Sequence, residues 1–325
     1  MGATSQPPYQ HRPEVVDVAG LGVSIESFQP SDLALLHRVL GQRPAHSVDL
    51  TISISPTGPE PPGRVADFEG PYGDHWFQGS SQFFHHHWGL DVAIAADRVE
   101  MGGPAEGYRR WVTVRNAMLF VLAHAFRYRD AFLLHAAAIH REDHGVLILG
   151  ESGSGKSTLA FGASLAGWDV LADDMVVARK SVGHLTVQGV PRVPSVPGEI
   201  IEYSVHRGDL VPQDERRRVE LTEFELDANE RQITDVVITS HAERDGVLDD
   251  VTGPEVLESL IEALVLSAVP EALREWFPLA AGLSGLPHTR LLHAPDPETR
   301  VGSPTQLLDR WFSARRSAQS DPVAT

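Results

Sequence analysis

A single stretch constrains this chain more than any other. Gly150-Glu151-Ser152-Gly153-Ser154-Gly155-Lys156-Ser157 spell G-x-x-x-x-G-K-S. The run before it, Gly145-Val146-Leu147-Ile148-Leu149, is short and apolar and reads as a buried strand. The run after it, Thr158 to Ala166, reads as a helix ending at Gly167, a natural left-handed cap. Strand, glycine-rich turn and helix in that order make an anion cradle. Glycines let successive N–H groups curl inward, and the helix N-terminus adds partial positive charge. The expected contacts to a nucleotide's phosphates are Gly150, Ser152, Gly153, Ser154, Gly155, Lys156, Ser157 and Thr158. Lys156 would reach the β- and γ-phosphates, and the Ser157 hydroxyl would hold Mg²⁺. The competing reading is a Gly/Ser-rich turn between a strand and a helix that holds no ligand.

With 325 residues the chain can bury the core of one large domain or two moderate ones. Hydrophobic content of 42% and charged content of 22% are those of a soluble globular protein. The absence of cysteine excludes disulfides and cysteine-ligated metal centres and fits a reducing compartment. No apolar run is long enough to span a bilayer, and Met1 to Pro13 is polar without a signal-like core, so a cytoplasmic protein without a membrane partner is expected. Net charge is −17, and residues 199–258 alone hold 17 Asp and Glu against 6 Arg. Such a balance argues against nucleic acid as a partner, since that affinity comes mainly from Lys and Arg on phosphates.

The pattern divides the chain. Residues 1–19 read as a loose tail, 20–103 as a small β-rich domain, 104–312 as a phosphate-loop domain, and 313–325 as a frayed end. In the small domain Val48–Ile54 and Gly89–Ala95 are strand-like, a Pro/Gly run at 56–63 breaks the chain, and Ser31 to Leu40 reads as a helix. A longer helix is expected at Tyr108–Arg129, where Val114, Met118, Val121, Leu122, Ala125 and Phe126 form one apolar stripe. The boundary at Gly102-Gly103-Pro104 would assign that helix to the phosphate-loop domain.

Phe132–Ile139 and Val146–Leu149 read as two strands of a hairpin. Folding it about residue 142 or 143 sets His135 opposite Gly150. A histidine there is either a core residue or part of the site. The next strand, Trp168–Ala172, closes on Asp173 and Asp174. A right-handed strand–helix–strand connection then puts that acidic pair on the same sheet edge as the glycine loop. Strand-like segments with proline breaks (Leu185 to Pro197) and a helix at Pro254–Leu266 follow. His85-His86-His87 alternate across a strand, so at most His85 and His87 could share a metal. An aromatic-rich strand is the plainer reading. The small domain could also dock a peptide by strand addition, an expectation that rests on no motif.

Leu134-His135-Ala136-Ala137, the strand Gly145–Leu149, Ser152-Gly153-Ser154-Gly155-Lys156-Ser157-Thr158 and Leu171-Ala172-Asp173-Asp174 together resemble HPr kinase/phosphorylase. The sequence is more similar to the HPr-kinase-related serine kinases, some of which accompany ribosomally made peptides such as lasso peptides; Val190-Pro191-Arg192-Val193-Pro194 adds to that likeness. The resemblance covers residues 132–200 well, the remainder of that domain weakly, and residues 1–105 not at all. It implies an α/β fold with a phosphate-loop domain of the kind shared with phosphoenolpyruvate carboxykinase. It also implies ATP and Mg²⁺ as cofactors, a serine-bearing peptide or protein as acceptor, and a homo-oligomer. Residue by residue, it implies His135 as the motif histidine, Asp173 as the base that takes the seryl proton, and Asp174 as its acidic neighbour at the metal. The family's Glu-x-Arg-Gly signature is absent; Glu199 and Glu202 lie in its region without its context, so HPr as substrate and the reverse phosphorolysis are not implied.

Catalysis of phosphoryl transfer rests on positioning and charge neutralisation. The catalytic set expected from the sequence is Asp173, His135 and Lys156, with Ser157 and Asp174 at the metal. Arg192 is the first choice for balancing transition-state charge, with Arg216, Arg217, Arg218 and Arg300 as alternatives. Three readings compete: a serine kinase, an NTPase whose acceptor is water, and a nucleotide sensor without turnover. Asp-Asp beside a histidine suits a hydroxyl acceptor, whereas water activation would call for Gln or Glu.

Overall fold

A computed structural model of the chain describes residues 14–27, 30–70, 73–78, 81–104, 106–181, 184–191, 195–197, 209–210, 218–221, 224–242, 246–248, 251–293 and 306–314. It is a mixed α/β protein that divides into two compact units, Met1–Tyr128 and Arg129–Thr325. Among the described residues, no helix is long and apolar enough to cross a membrane.

The first unit contains β1 (Glu14–Val18), β2 (Leu21–Ser27), α1 (Pro30–Leu40), β3 (Leu50–Ser55), β4 (Phe68–Glu69), β5 (Gly73–Gln78), β6 (Ser81–His86), β7 (Leu90–Ile94), β8 (Arg98–Gly102) and α2 (Gly107–Arg127). Its strands form one sheet in the order β1-β2-β3-β8-β7-β6-β5-β4. Period-2 alternation shows clearly in β3, where Leu50, Ile52 and Ile54 are buried and their neighbours are not. Two expectations are corrected here. Glu14–Val18 is not tail but a strand paired antiparallel with β2. The units part after Tyr128 rather than near Gly103, because the apolar stripe of α2 is buried against α1, β6 and β7 of the first unit. In the histidine triplet, His85 Nδ1 lies 2.7 Å from Asp91 Oδ1 and His87 Nε2 lies 3.5 Å from Asp74 Oδ1, while His86 is buried.

The second unit begins with β9 (Ala131–Leu134), β10 (Ala137–Arg141), β11 (His144–Leu149), α3 (Lys156–Leu165), β12 (Asp169–Ala172), β13 (Val176–Ser181) and β14 (His184–Gly189). It continues through β15 (Ser195–Pro197), β16 (Asp209–Leu210), β17 (Arg218–Glu220), β18 (Arg231–Gln232), β19 (Asp235–His241), β20 (Gly246–Leu248), α4 (Gly253–Ala263), α5 (Pro270–Ser284) and β21 (His288–His293). Residues 306–314 are helical as well. The main sheet runs β12-β10-β11-β19-β21-β20, beside a four-stranded sheet β18-β14-β13-β9 and a small one, β15-β17-β16.

In the main sheet β11 pairs parallel with β19, and β19 with β21, while β10 pairs antiparallel with both β11 and β12. Thus β11 and β12 are parallel with one strand between them, and both end on the same edge. Alternation feeds two cores. Ala138, Leu147, Leu149, Val236 and Ile238 pack with Trp276 and Leu260 from α5 and α4; Ala137, Ile139, Val146, Ile148 and Val237 pack with Leu159 of α3 and with Leu308, Trp311 and Phe312. The helix expected at Pro254–Leu266 is α4, opened by a Thr252/Glu255 capping box. The single strand expected at Phe132–Ile139 is corrected to two, β9 and β10, in different sheets. Between them His135 donates its backbone N–H to Ala263 O at 2.7 Å, a bond to α4 that turns the chain from one sheet to the other.

The first unit carries an unusual core. The rings of His75 and Phe120 are 4.7 Å apart, those of His75 and Phe84 also 4.7 Å, and those of Phe120 and His124 4.5 Å. Neither ring nitrogen of the fully buried His124 has a hydrogen-bond partner among the described residues. Burial pushes His124 down to about 3, with Arg127 and His75 adding to the effect. It pushes His75 down to about 4 against the pull of Asp74. Both folded values lie below the ordinary 6.5. The fold therefore favours neutral rings, and the resulting stability is complete above pH 6.5 and is lost as pH falls through 6.5 toward 3. For His124 alone the loss between pH 7 and pH 4.5 is of the order of 2 kcal/mol. Thermal melting of the full chain at these two pH values is expected to show the drop, and His124→Leu is expected to reduce it; an unchanged pH dependence in that variant would contradict the assignment.

Candidate active site

The glycine loop leaves β11 at Leu149 and enters α3 at Lys156. Gly150, Gly153 and Gly155 have φ of +144°, +87° and +97°, backbone that side chains with a Cβ rarely adopt. Gly150 is doubly constrained, because a Cβ there would lie 2.5 Å from both Thr239 O and Ser154 Oγ. Glu151, Ser152 and Gly153 form the exposed tip, while Ser154 and Thr158 turn inward and are buried. Ser154 N–H donates to Glu151 O at 3.1 Å, which closes the turn. Gly155 caps α3 in a left-handed conformation, and among the described residues no side chain caps that N-terminus, so its amides remain available to an anion.

Lys156 is buried, and its Nζ donates to Gly150 O at 2.7 Å and Glu151 O at 2.9 Å. Burial pushes the ammonium below its ordinary value, and the carboxylate of Asp174 pulls it back up. Next to it, Ser157 Oγ donates to the backbone carbonyl of Asp173 at 3.3 Å, which ties the first turn of α3 to the end of β12. The sheet edge expected for the acidic pair is therefore the one the fold provides.

The two aspartates differ in surroundings. Asp173 is buried, whereas Asp174 is part-exposed and its Oδ1 lies 2.9 Å from His135 Nδ1. The same ring nitrogen lies 3.1 Å from Asp174 O. The hairpin register is the expected one: Ala137 pairs with Ile148 and Arg141 with His144, which carries His135 level with Gly150. One detail is corrected. The family resemblance implies a histidine that supports Asp173, but the ring meets Asp174: β9, paired with β13, ends at Leu134, and the chain turns there before β10 begins.

Arg192, Arg216, Arg217 and Arg300, together with Glu199 and Glu202, lie outside the described residues; Arg218 opens β17. Sequence reasoning missed Thr239, at the end of β19 beside the loop. Its hydroxyl lies 2.9 Å from Ser154 Oγ and donates to Leu149 O at 3.2 Å. The β-branched run Val236-Val237-Ile238-Thr239 marks a buried strand, but nothing local in it points to Gly150. A cleft of about 440 Å³ opens at the other end of β12, lined by Trp168, Asp169, Glu225, Asp227 and Arg231, and includes no residue of the loop.

No family model matches the sequence, and no curated protein matches it significantly. Among solved structures, the Hpr(Ser) kinase/phosphatase from Coxiella burnetii is similar over 58% of this chain and 94% of that one, with 14% sequence identity and a TM-score of 0.30. A likeness of that size carries no structural argument, and the site stands on its own geometry.

That geometry sets a test of the loop. Gly150→Ala is expected to destabilise the protein by about 2 kcal/mol or more, from strained backbone plus the encounter with Thr239. Gly153→Ala, whose Cβ would meet nothing within 4 Å, is expected to cost only about 1 kcal/mol. Comparing the melting temperatures of the two variants checks the order, and equal effects would count against it.

Proposed function

We propose that this chain is an ATP-dependent kinase that transfers the γ-phosphoryl group to a serine hydroxyl of a peptide or protein acceptor, with a ribosomally made precursor peptide as one form of that acceptor. The observation that carries the reading is the meeting of Lys156, Ser157, the Asp173-Asp174 pair and His135 on one sheet edge. The loop suits a nucleotide's phosphates: glycines at positive φ, an uncapped helix N-terminus and a buried ammonium are the donors such a ligand needs. Mg²⁺, when bound, supplies charge neutralisation on the phosphate oxygens. In this reading Ser157 and Asp173 would hold it.

Base and metal roles follow from exposure. Asp174 is the more accessible carboxylate, and His135 fixes its orientation from the opposite side. In the proposed step the acceptor serine gives its proton to Asp174 while its oxygen bonds to the γ-phosphorus. The bond from that phosphorus to the bridging oxygen breaks, and ADP leaves with the electron pair. Lys156 stabilises the charge that builds on the phosphate oxygens. The base expected from sequence, Asp173, thereby exchanges roles with its neighbour, for its carboxylate is buried and less open to an incoming polypeptide, and its backbone carbonyl is tied to Ser157.

Incubation with labelled ATP, with and without serine-bearing polypeptides, tests the reading, and transfer to water alone would make the chain an NTPase. Lys156→Ala is expected to abolish turnover in a protein that still folds. Asp174→Asn should cut transfer by roughly two to four decades while Mg·ATP still binds, and His135→Ala by about tenfold. Asp173→Asn should weaken Mg·ATP binding itself. Calorimetry separates binding from transfer; if Asp173→Asn binds Mg·ATP normally yet no longer transfers, the roles revert to those expected from sequence.

A further inference from the structure

The reading of Gly150–Ser157 as a nucleotide site leaves open what holds the loop in shape. We infer that Thr239 is a positioning residue that holds the middle of the glycine loop through a hydroxyl relay. Ser154 and Thr239 are both buried and stand 85 residues apart in sequence, yet their hydroxyl oxygens are 2.9 Å apart. Thr239 Oγ1 also donates to Leu149 O at 3.2 Å. A threonine hydroxyl has one hydrogen. If Thr239 spends it on Leu149 O, the hydrogen between the two hydroxyls comes from Ser154. The relay then runs Ser154 Oγ–H to Thr239 Oγ1–H to Leu149 O, and each member has a partner. It fixes the inward-turned residue of the loop to the last carbonyl of the strand from which the loop departs.

The placement is built by the sheet. β19 pairs parallel with β11 so that Ile238 stands beside Leu149, and Thr239 then falls beside Gly150. There its backbone oxygen and hydroxyl fill the space that a Cβ on Gly150 would need, at 2.5 and 2.8 Å. The glycine and the threonine are two halves of one contact. Gly150 permits the close approach, and Thr239 uses it to hold Ser154. Because the loop's amides must converge on one anion, a loop with Ser154 released points them less accurately, which costs affinity for phosphate.

The test compares Thr239→Val, which keeps the shape and removes the hydroxyl, with Thr239→Ser, which keeps the hydroxyl. Calorimetry with Mg²⁺ and the β,γ-imido analogue of ATP reads affinity, and hydrogen exchange reads the amides of residues 150–157. Thr239→Val is expected to weaken the analogue about tenfold and to speed exchange across the loop, while Thr239→Ser stays within about twofold of the parent. Ser154→Ala should weaken the analogue in the same direction as Thr239→Val, and the double variant should fall short of the sum of the two, since both remove the Ser154–Thr239 bond. In turnover, the KM for ATP should rise more than kcat falls. Serine failing as badly as valine, or valine leaving both affinity and exchange unchanged, would overturn the inference. If the parent protein binds no analogue but valine still speeds exchange in the loop, the relay stands and the nucleotide reading falls.

Discussion

Everything at the candidate site depends on one strand being where it is. β10 runs antiparallel between β11 and β12, so the two strands whose ends carry the glycine loop and the aspartate pair are separated by a single strand. Neighbouring strands lie about 4.8 Å apart, so the ends of β11 and β12 stand roughly 10 Å from each other, about the width of a helix. That is the span α3 bridges in returning from one to the other. The head of β10 lies in this gap, and His135 stands two residues before that head. Its position between loop and acidic pair thus follows from topology, and its pairing with Asp174 from the turn that takes the chain to β9.

How much of this the sequence disclosed depended on the range of the interaction. The loop, its flanking strand and helix, the left-handed Gly167 and the hairpin register were all legible, because each is decided by residues within a few positions of one another. The apolar stripe of α2 was legible too, but its allegiance was not: a stripe shows that a face will be buried and not which sheet will cover it. The switch at His135 was hidden for a similar reason. Phe132 to Ile139 is a continuous run of strand-compatible residues, and the break is made by a hydrogen bond to Ala263 from far along the chain. Glu14–Val18 follows a polar stretch and offers few residues of pattern, and its strand character comes from its partner β2.

The aspartate pair shows the limit most plainly. Alternation along a strand would assign adjacent side chains to opposite faces, but Asp173 and Asp174 stand in the bend just beyond β12, where they differ in burial. The rule does not say which of the two faces the histidine. That is settled by the carbonyl–hydroxyl contact between Asp173 and Ser157, which fixes the rotation of the chain beyond β12, and by the direction in which the chain leaves β9. A one-residue difference in that geometry exchanges the roles of two chemically identical side chains, so the sequence motif alone is compatible with both assignments.

Under the proposed reading, the same scale of distance reconciles a net charge of −17 with a site for a nucleotide's phosphates. At physiological ionic strength charges more than about 8 Å apart in solvent are largely screened, so the sum over the surface matters less than the groups in contact. At the loop those groups are the amides at the start of α3 and the Lys156 ammonium, held by Gly150 O and Glu151 O in partial shelter from water. Shelter raises the strength of each such interaction, and it also makes a buried ammonium costly unless it is compensated. Two carbonyls of the loop and the nearby Asp174 carboxylate provide that compensation. In the proposed reading, an arriving phosphate would share an ammonium that is already buried and held in place.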